Sequence, residues 1–286
     1  MLSAAAVFVS IMAFGHAGRA QQTTSPQSSS QRTSTMAMET TPSALDDILL
    51  EETDEEDVTT SVYSRVAVEY DHASFSGGRR NDRVRIKGAQ AFGSDHRVGF
   101  GYELPFISGY GIDLGDGTPS PSAQGLGDIK VNVNAVLGMT PRFKHAAKIE
   151  FTFPSASEDV IGFGQKILRI EWGCSTPIGA KTALSGIFAY NKAISTRDGN
   201  PGQNSFEPEV VLTRAFTPSI AAYLDYDMYR DFSAEDFGQT LKAGMTISID
   251  KAQRWALSPY AQFPLNHFTS STNLKSDVGI ELGFRY

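Results

Sequence analysis

The chain has 286 residues, a formal net charge of -7, 26 glycines, 18 phenylalanines, 10 tyrosines and one cysteine, Cys174. A lone cysteine excludes an internal disulfide framework and zinc sites built from several thiolates. The length allows one or two domains, and an acidic balance offers no basic field to nucleic acid.

Leu2 to Gly15 is an apolar run, followed by His16-Ala17-Gly18-Arg19-Ala20. It is short for a bilayer span and ends in small residues, so residues 1–20 read as a secretory signal peptide cut after Ala20. Gln21 to Thr60 begins as Ser, Thr and Gln and then gathers Asp46, Asp47, Glu51, Glu52, Asp54, Glu55, Glu56 and Asp57. So polar a stretch cannot bury enough apolar surface to order itself, and residues 21–60 read as a disordered periplasmic segment. With Arg32 and Glu39 residues 21–57 sum to -8, and Arg19 adds one positive charge, so -7 + 8 - 1 leaves residues 58–286 near neutral.

From Ser61 onward apolar and polar residues alternate, the signature of strands with one greasy face. Val66, Val68 and Tyr70 oppose Arg65, Glu69 and Asp71; Val98, Phe100, Tyr102, Leu104 and Phe106 oppose Gly99, Gly101 and Glu103. The same holds for Ile129 to Leu137, Ala147 to Phe153, Leu168 to Trp172, Leu241 to Ile249 and Val278 to Tyr286. Weaker runs lie at Arg83 to Phe92, Ala183 to Asn191, Phe206 to Phe216, Ile220 to Tyr229 and Trp255 to Phe263, which brings the predicted count to twelve.

The connections alternate in length. Short turns are expected at Gly93 to His96, Gly138 to Arg142, Pro177 to Lys181, Thr217 to Ser219 and Asp250 to Arg254. Longer loops are expected at Ala73 to Asn81, Ile107 to Gln124, Ser155 to Gly164, Ala193 to Asn204, Arg230 to Gly238 and Asn266 to Ser276. Such asymmetry belongs to barrels of the bacterial outer membrane, whose short turns lie on the periplasmic side. The expectation is an all-β fold over residues 61–286: a transmembrane antiparallel up-and-down barrel of about twelve strands, its apolar face in outer-membrane lipid. Trp172, Tyr190, Trp255 and Phe263 are expected near strand ends as interfacial girdles.

Twelve-fold alternation, a closing Phe284-Arg285-Tyr286 and the motif Gly125-Leu126-Gly127-Asp128-Ile129 together resemble the outer-membrane transporter family named for the meta-cleavage pathway of phenol degradation (MetA-type). The resemblance covers about residues 61–286. It implies a channel or transporter for small molecules, hydrophobic or aromatic compounds among them. Phe284 and Tyr286 resemble the terminal signal read by the outer-membrane assembly machinery.

The polar face then lines a lumen. It carries Arg65, Glu69, Arg83, Arg85, Lys87, Glu103, Asp128, Lys130, Lys148, Glu150, Arg169, Glu171, Glu207, Glu209, Asp225, Asp227, Lys242, Glu281 and Arg285. Twelve strands lie between a filled bore and an aqueous one, so these charges read either as a narrow path for a small solute or as a salt-bridged filling. Arg83, Arg85 and Lys87 would set up a transverse field if they face Glu207, Glu209, Asp225 and Asp227.

No cofactor, metal site or nucleic-acid partner is expected, and the chain reads as a non-enzyme. The alternatives are a structural or adhesive barrel and an outer-membrane acyl hydrolase. His72-Ala73-Ser74 resembles the His-x-Ser pairing of outer-membrane phospholipase A and lipid A deacylases, and parity sends both side chains to the lipid face with Tyr70. Phe75-Ser76 replaces the Asn-Gly of the phospholipase motif, and no group to orient His72 is evident beyond Asn81.

Overall fold

The computed structural model describes residues 62–75, 80–93, 96–110, 123–140, 142–157, 161–162, 164–196, 202–233, 236–266 and 274–286. The signal peptide and the acidic segment expected over residues 1–60 lie outside them.

Thirteen strands form one sheet. They are β1 (Arg65–Phe75), β2 (Arg80–Phe92), β3 (Val98–Tyr110), β4 (Ala123–Leu126), β5 (Ile129–Thr140), β6 (Phe143–Phe153) and β7 (Gln165–Gly179). There follow β8 (Thr182–Thr196), β9 (Asn204–Thr217), β10 (Ile220–Asp231), β11 (Asp236–Ser248), β12 (Trp255–Pro264) and β13 (Leu274–Arg285). Every pairing is antiparallel; all but β3 with β5 and β13 with β1 join neighbours in the chain, and β13 returns to β1 with Val68 opposite Leu282 and Tyr70 opposite Ile280. Because β2 also pairs with β3, the sheet closes. Twelve strands are staves of the barrel and β4 is an addition.

The two-residue period sorts side chains as the sequence implies. On β1, Ala67, Glu69, Asp71 and Ala73 are buried inside, while Val66, Val68 and Tyr70 stand exposed outside. The same division repeats around the wall: Phe100, Phe151, Ile170, Phe188, Val210, Leu224, Ile280 and Leu282 are exposed, and Lys148, Glu171, Glu209, Asp225 and Glu281 are buried. In water that exterior would expose apolar surface all round the wall. In lipid it is the stable face, and closure satisfies the backbone groups that an open edge would strand there.

Three details differ from the sequence expectation. β3 continues to Tyr110 and β4 forms within the stretch read as a loop, since Ala123–Leu126 extends the ladder along the end of β3 beyond its pairing with β5. The gap from β1 to β2 narrows to Phe75–Arg80, and that from β10 to β11 to Asp231–Asp236, because the strands outrun their alternating cores. Trp172 lies mid-strand in β7, stacked on Phe188 with ring centroids 5.7 Å apart, whereas Trp255 sits at the rim against Phe284 at 4.6 Å. Tyrosines also cover glycines across the ladder: a side chain on Gly88, Gly244 or Gly279 would collide with Tyr102, Tyr223 or Tyr260. A ring laid over a bare cross-strand glycine restores the contact that the missing side chain forfeits.

Candidate functional site

The interior charges assemble into lattices whose links follow from register. Antiparallel pairing sets Arg85 opposite Glu69, Arg83 opposite Asp71 and Lys87 opposite Ala67. Arg85 donates to Glu69 at 2.5 Å and lies 3.3 Å from Asp71. Because Ala67 and Gly283 are small, Lys87 reaches over β1 to Glu281 on β13 at 3.4 Å while also holding Glu69. Arg83 makes the same crossing, donating to Asp71 at 2.7 Å and to Asp277 at 3.0 Å. The Tyr260 hydroxyl of β12 completes the group, donating to Glu69 at 2.8 Å. The junction of first and last strands is thus stapled by side chains of β2.

A second lattice spans β6 to β9. Lys148 lies 3.0 Å from Glu171 and 3.6 Å from Glu150. Arg169 bonds both Glu171 and Glu207, the latter across β8, where the small Ala189 stands between Glu171 and Glu207 in the ladder. Asn191 donates to Glu207 at 2.8 Å and to Ser205 at 3.1 Å. Lys130 and Glu103, 3.6 Å apart, form a separate pair between β5 and β3.

Asp225 pairs across the ladder with Lys242, and Glu209 with Asp227. The Lys242 ammonium sits 4.2 Å above the Tyr260 ring. Arg65 at the start of β1 and Arg285 at the end of β13 are opposite each other, and the Arg285 guanidinium lies over the Tyr63 ring at 5.0 Å. All these side chains are on the interior face.

The arrangement alters the expected field. β2 and β9 are separated by five staves in either direction, so the basic trio and the acids of β9 and β10 do occupy opposite walls. Each cation of the trio, however, is held by acids on β1 or β13, which removes most of its long-range potential. The middle of each large lattice is also shielded from water, although Arg83 and Arg169 keep part of their side chains exposed. Asp71 is 0%, Glu171 1% and Lys148 3% exposed, which leaves water no contact with the middle of these networks.

Asp128 has a different position from the other charges. It lies in the break between β4 and β5, and its carboxylate accepts the Ala156 amide at 3.1 Å. Ser157 N–H donates to the Leu126 carbonyl at 2.8 Å and Gly127 N–H to the Pro105 carbonyl at 2.7 Å. Gly125, at φ +153°, leaves room for the Ser157 hydroxyl, which any side chain there would strike. The Gly-Leu-Gly-Asp motif therefore clamps the segment after β6 against the end of β3.

No protein-family model matches the chain, and no curated protein does. An outer membrane channel from Pseudomonas putida F1 is similar in structure, with a TM-score of 0.65 at 11% identity over 82% of this chain and 100% of its own. NanC porin is similar at a TM-score of 0.51 and 9% identity, covering 77% of this chain and 98% of its own. KdgM porin, solved in complex with disordered oligogalacturonate, gives 0.50 at 9% identity over 77% and 99%. The fold is that of outer-membrane β-barrels.

Several polar partners escaped the sequence reading. Tyr260, Asn191 and Ser205 carry no charge to mark them, and only strand register brings them to Glu69 and Glu207. His72 and Ser74 stand on the outer face of β1, as parity implies. The group beside His72 is Asp82, its cross-strand partner, and not Asn81, whose cross-strand partner is Ala73.

Proposed function

We propose that this chain is a bacterial outer-membrane channel or transporter for small solutes. Residues 61–286 form the conducting barrel, residues 1–20 the signal peptide and 21–60 a periplasmic segment. The observation that carries the reading is a closed barrel with an apolar exterior and charged side chains on the interior of most of its strands. A protein whose only task was to sit in lipid would gain nothing from so many buried ions, since well-packed apolar residues fill such a space at no loss of stability.

The path is narrow and charge-lined. Arg65, Glu69, Arg83, Arg85, Lys87, Glu103, Lys130, Lys148, Glu150, Arg169, Glu171, Glu207, Glu209, Asp225, Asp227, Lys242, Glu281 and Arg285 line it, and Asp128 sets the position of a loop at its long-loop end. The solutes are small molecules, with aromatic or hydrophobic compounds the class that the MetA-type resemblance supports. Phe284 on the last strand and Tyr286 just after it present the terminal aromatic pattern to the assembly machinery.

Planar-bilayer recording of the purified full chain tests this. Discrete openings of small unitary conductance are expected. Liposome swelling with neutral sugars and with aromatic carboxylates of similar mass then separates the solute classes. Absence of both conductance and swelling overturns the reading.

A further inference from the structure

The outer face of β1 and β2 carries polar groups that contact with lipid does not call for. Tyr70, His72 and Ser74 alternate along that face of β1. Directly opposite on β2, Asp82 pairs with His72 and Arg80 with Ser74. The cluster lies at the end of the wall away from Arg65 and Arg285, the end that outer-membrane barrels turn to the cell exterior.

Its hydrogen bonds run in series. His72 Nδ1 lies 2.8 Å from Asp82 Oδ1, and His72 Nε2 lies 3.3 Å from Ser74 Oγ. The Tyr70 hydroxyl donates to the same Asp82 oxygen at 2.8 Å, which fixes the carboxylate. With Nδ1–H directed at the acid, Nε2 is left as the acceptor for the serine proton, the connectivity that turns a hydroxyl into a nucleophile. The 3.3 Å separation is within the looser range that such pairs show without substrate. The group is also reachable, for the His72 and Asp82 side chains are 34% and 37% exposed. The ladder of β1 with β13 breaks between Ser74 and Phe75, and bulges of this kind re-aim side chains beside reactive sites.

We propose that Ser74, His72 and Asp82 form a hydrolytic triad on the lipid-facing wall, acting on the ester-linked acyl chain of an outer-leaflet lipid. The setting selects the substrate: a nucleophile on the outside of a barrel meets acyl chains, and Arg80, exposed across from Ser74, suits an anionic headgroup. Ser74 Oγ attacks the ester carbonyl and passes its proton to His72 Nε2. The carbonyl–oxygen bond to the lipid breaks, and the departing alkoxide takes that proton as the free alcohol. Water then attacks the acyl-serine, giving one proton to His72, and this proton returns to Ser74 as the fatty acid leaves. One ester and one water yield one acid and one alcohol, with no redox partner. Asp82 supplies the orienting group absent from the sequence reading.

The test uses the full chain in detergent and in vesicles of ester-linked phosphatidylethanolamine, and separately with ester-acylated lipid A. Fatty-acid release is followed by mass spectrometry, and a long-chain alkyl fluorophosphonate probes the nucleophile. Release from either lipid and a single phosphonyl adduct on Ser74 are expected, and the lipid that is cleaved names the source. Ser74→Ala and His72→Ala should lower release by about 1000-fold or more. Asp82→Asn should lower it and alter the pH profile, an effect that a merely structural residue would not have. Heat-modified gel mobility and conductance should stay unchanged in Ser74→Ala, which keeps the outcome separate from the channel reading. Wild-type protein that releases no fatty acid from either lipid and takes no label at Ser74 overturns the proposal.

Discussion

Lys148 on β6 holds the Glu171 carboxylate of β7 at 3.0 Å, with both side chains all but sealed from water. Two opposite charges in so dry a place depend on each other. Removing Lys148 leaves Glu171 to Arg169 alone and takes from buried Glu150 the cation it lies beside, at a cost of about 3 kcal/mol or more. Lys148→Met should therefore lower the urea midpoint of the barrel in lipid vesicles, read by the fluorescence of Trp172 and Trp255. Lys148→Met with Glu171→Leu should recover only part of the loss, since Arg169 keeps Glu207 but Glu150 stays without Lys148.

Ion selectivity should respond to the basic trio in a direction that the local pairing sets. Arg83, Arg85 and Lys87 bring three positive charges against Glu69, Asp71, Asp277 and Glu281, so the group sums to 3 - 4 = -1. Replacing all three by Gln leaves four acids together. The reversal potential in a salt gradient should move toward cation preference, and an unchanged potential would place the group off the conducting path.

Gly125→Ala should loosen the clamp at the long-loop end. The new methyl meets the Ser157 hydroxyl, and a non-glycine residue at that positive φ carries a strain of about 1–3 kcal/mol. The amides of Ala156 and Ser157 are expected to exchange faster with solvent deuterium, while β5 and β6 keep their protection. Asp128→Ala should reproduce the effect at Ala156, whose N–H it accepts.

A pH-dependent turn joins β11 to β12. The Trp255 backbone N–H donates to the Asp250 carboxylate at 2.8 Å, and this bond, first among several to backbone amides, holds the carboxyl below its ordinary range. A depressed folded pKa gives stability that is complete above the unfolded value of about 4 and is lost as pH falls through the folded one. Exchange at the Trp255 amide, corrected for intrinsic rate, should rise only in that acid window. Asp250→Ala should make it fast at every pH.

Much of the wall was legible because the strand period is an integer. Once Val66, Val68 and Tyr70 faced one way, the sides of Glu69 and Asp71 followed, and so around the barrel. Register was not legible, since it depends on which residues the turns and strand ends bring opposite each other. That is why Arg85 with Glu69, Arg169 with Glu207 and His72 with Asp82 emerge only from the fold. Asp82 lay just before the alternating run that begins at Arg83, and β4 is too short to display a period. The pairing that blunts the transverse field was hidden for the same reason: the acids beside Arg83, Arg85 and Lys87 are spread over two strands far apart in sequence.

Glu69 and Glu281 stand directly opposite each other where β1 meets β13. Like charges so placed repel. What reconciles them is Lys87, which belongs to β2 and touches both. The final joint is therefore unfavourable for β1 arriving alone and becomes favourable once β1 and β2 arrive as a hairpin. A chain cut after β1, or permuted so that β2 is delivered late, should stall as an unclosed sheet even though every backbone partner needed for that joint is present.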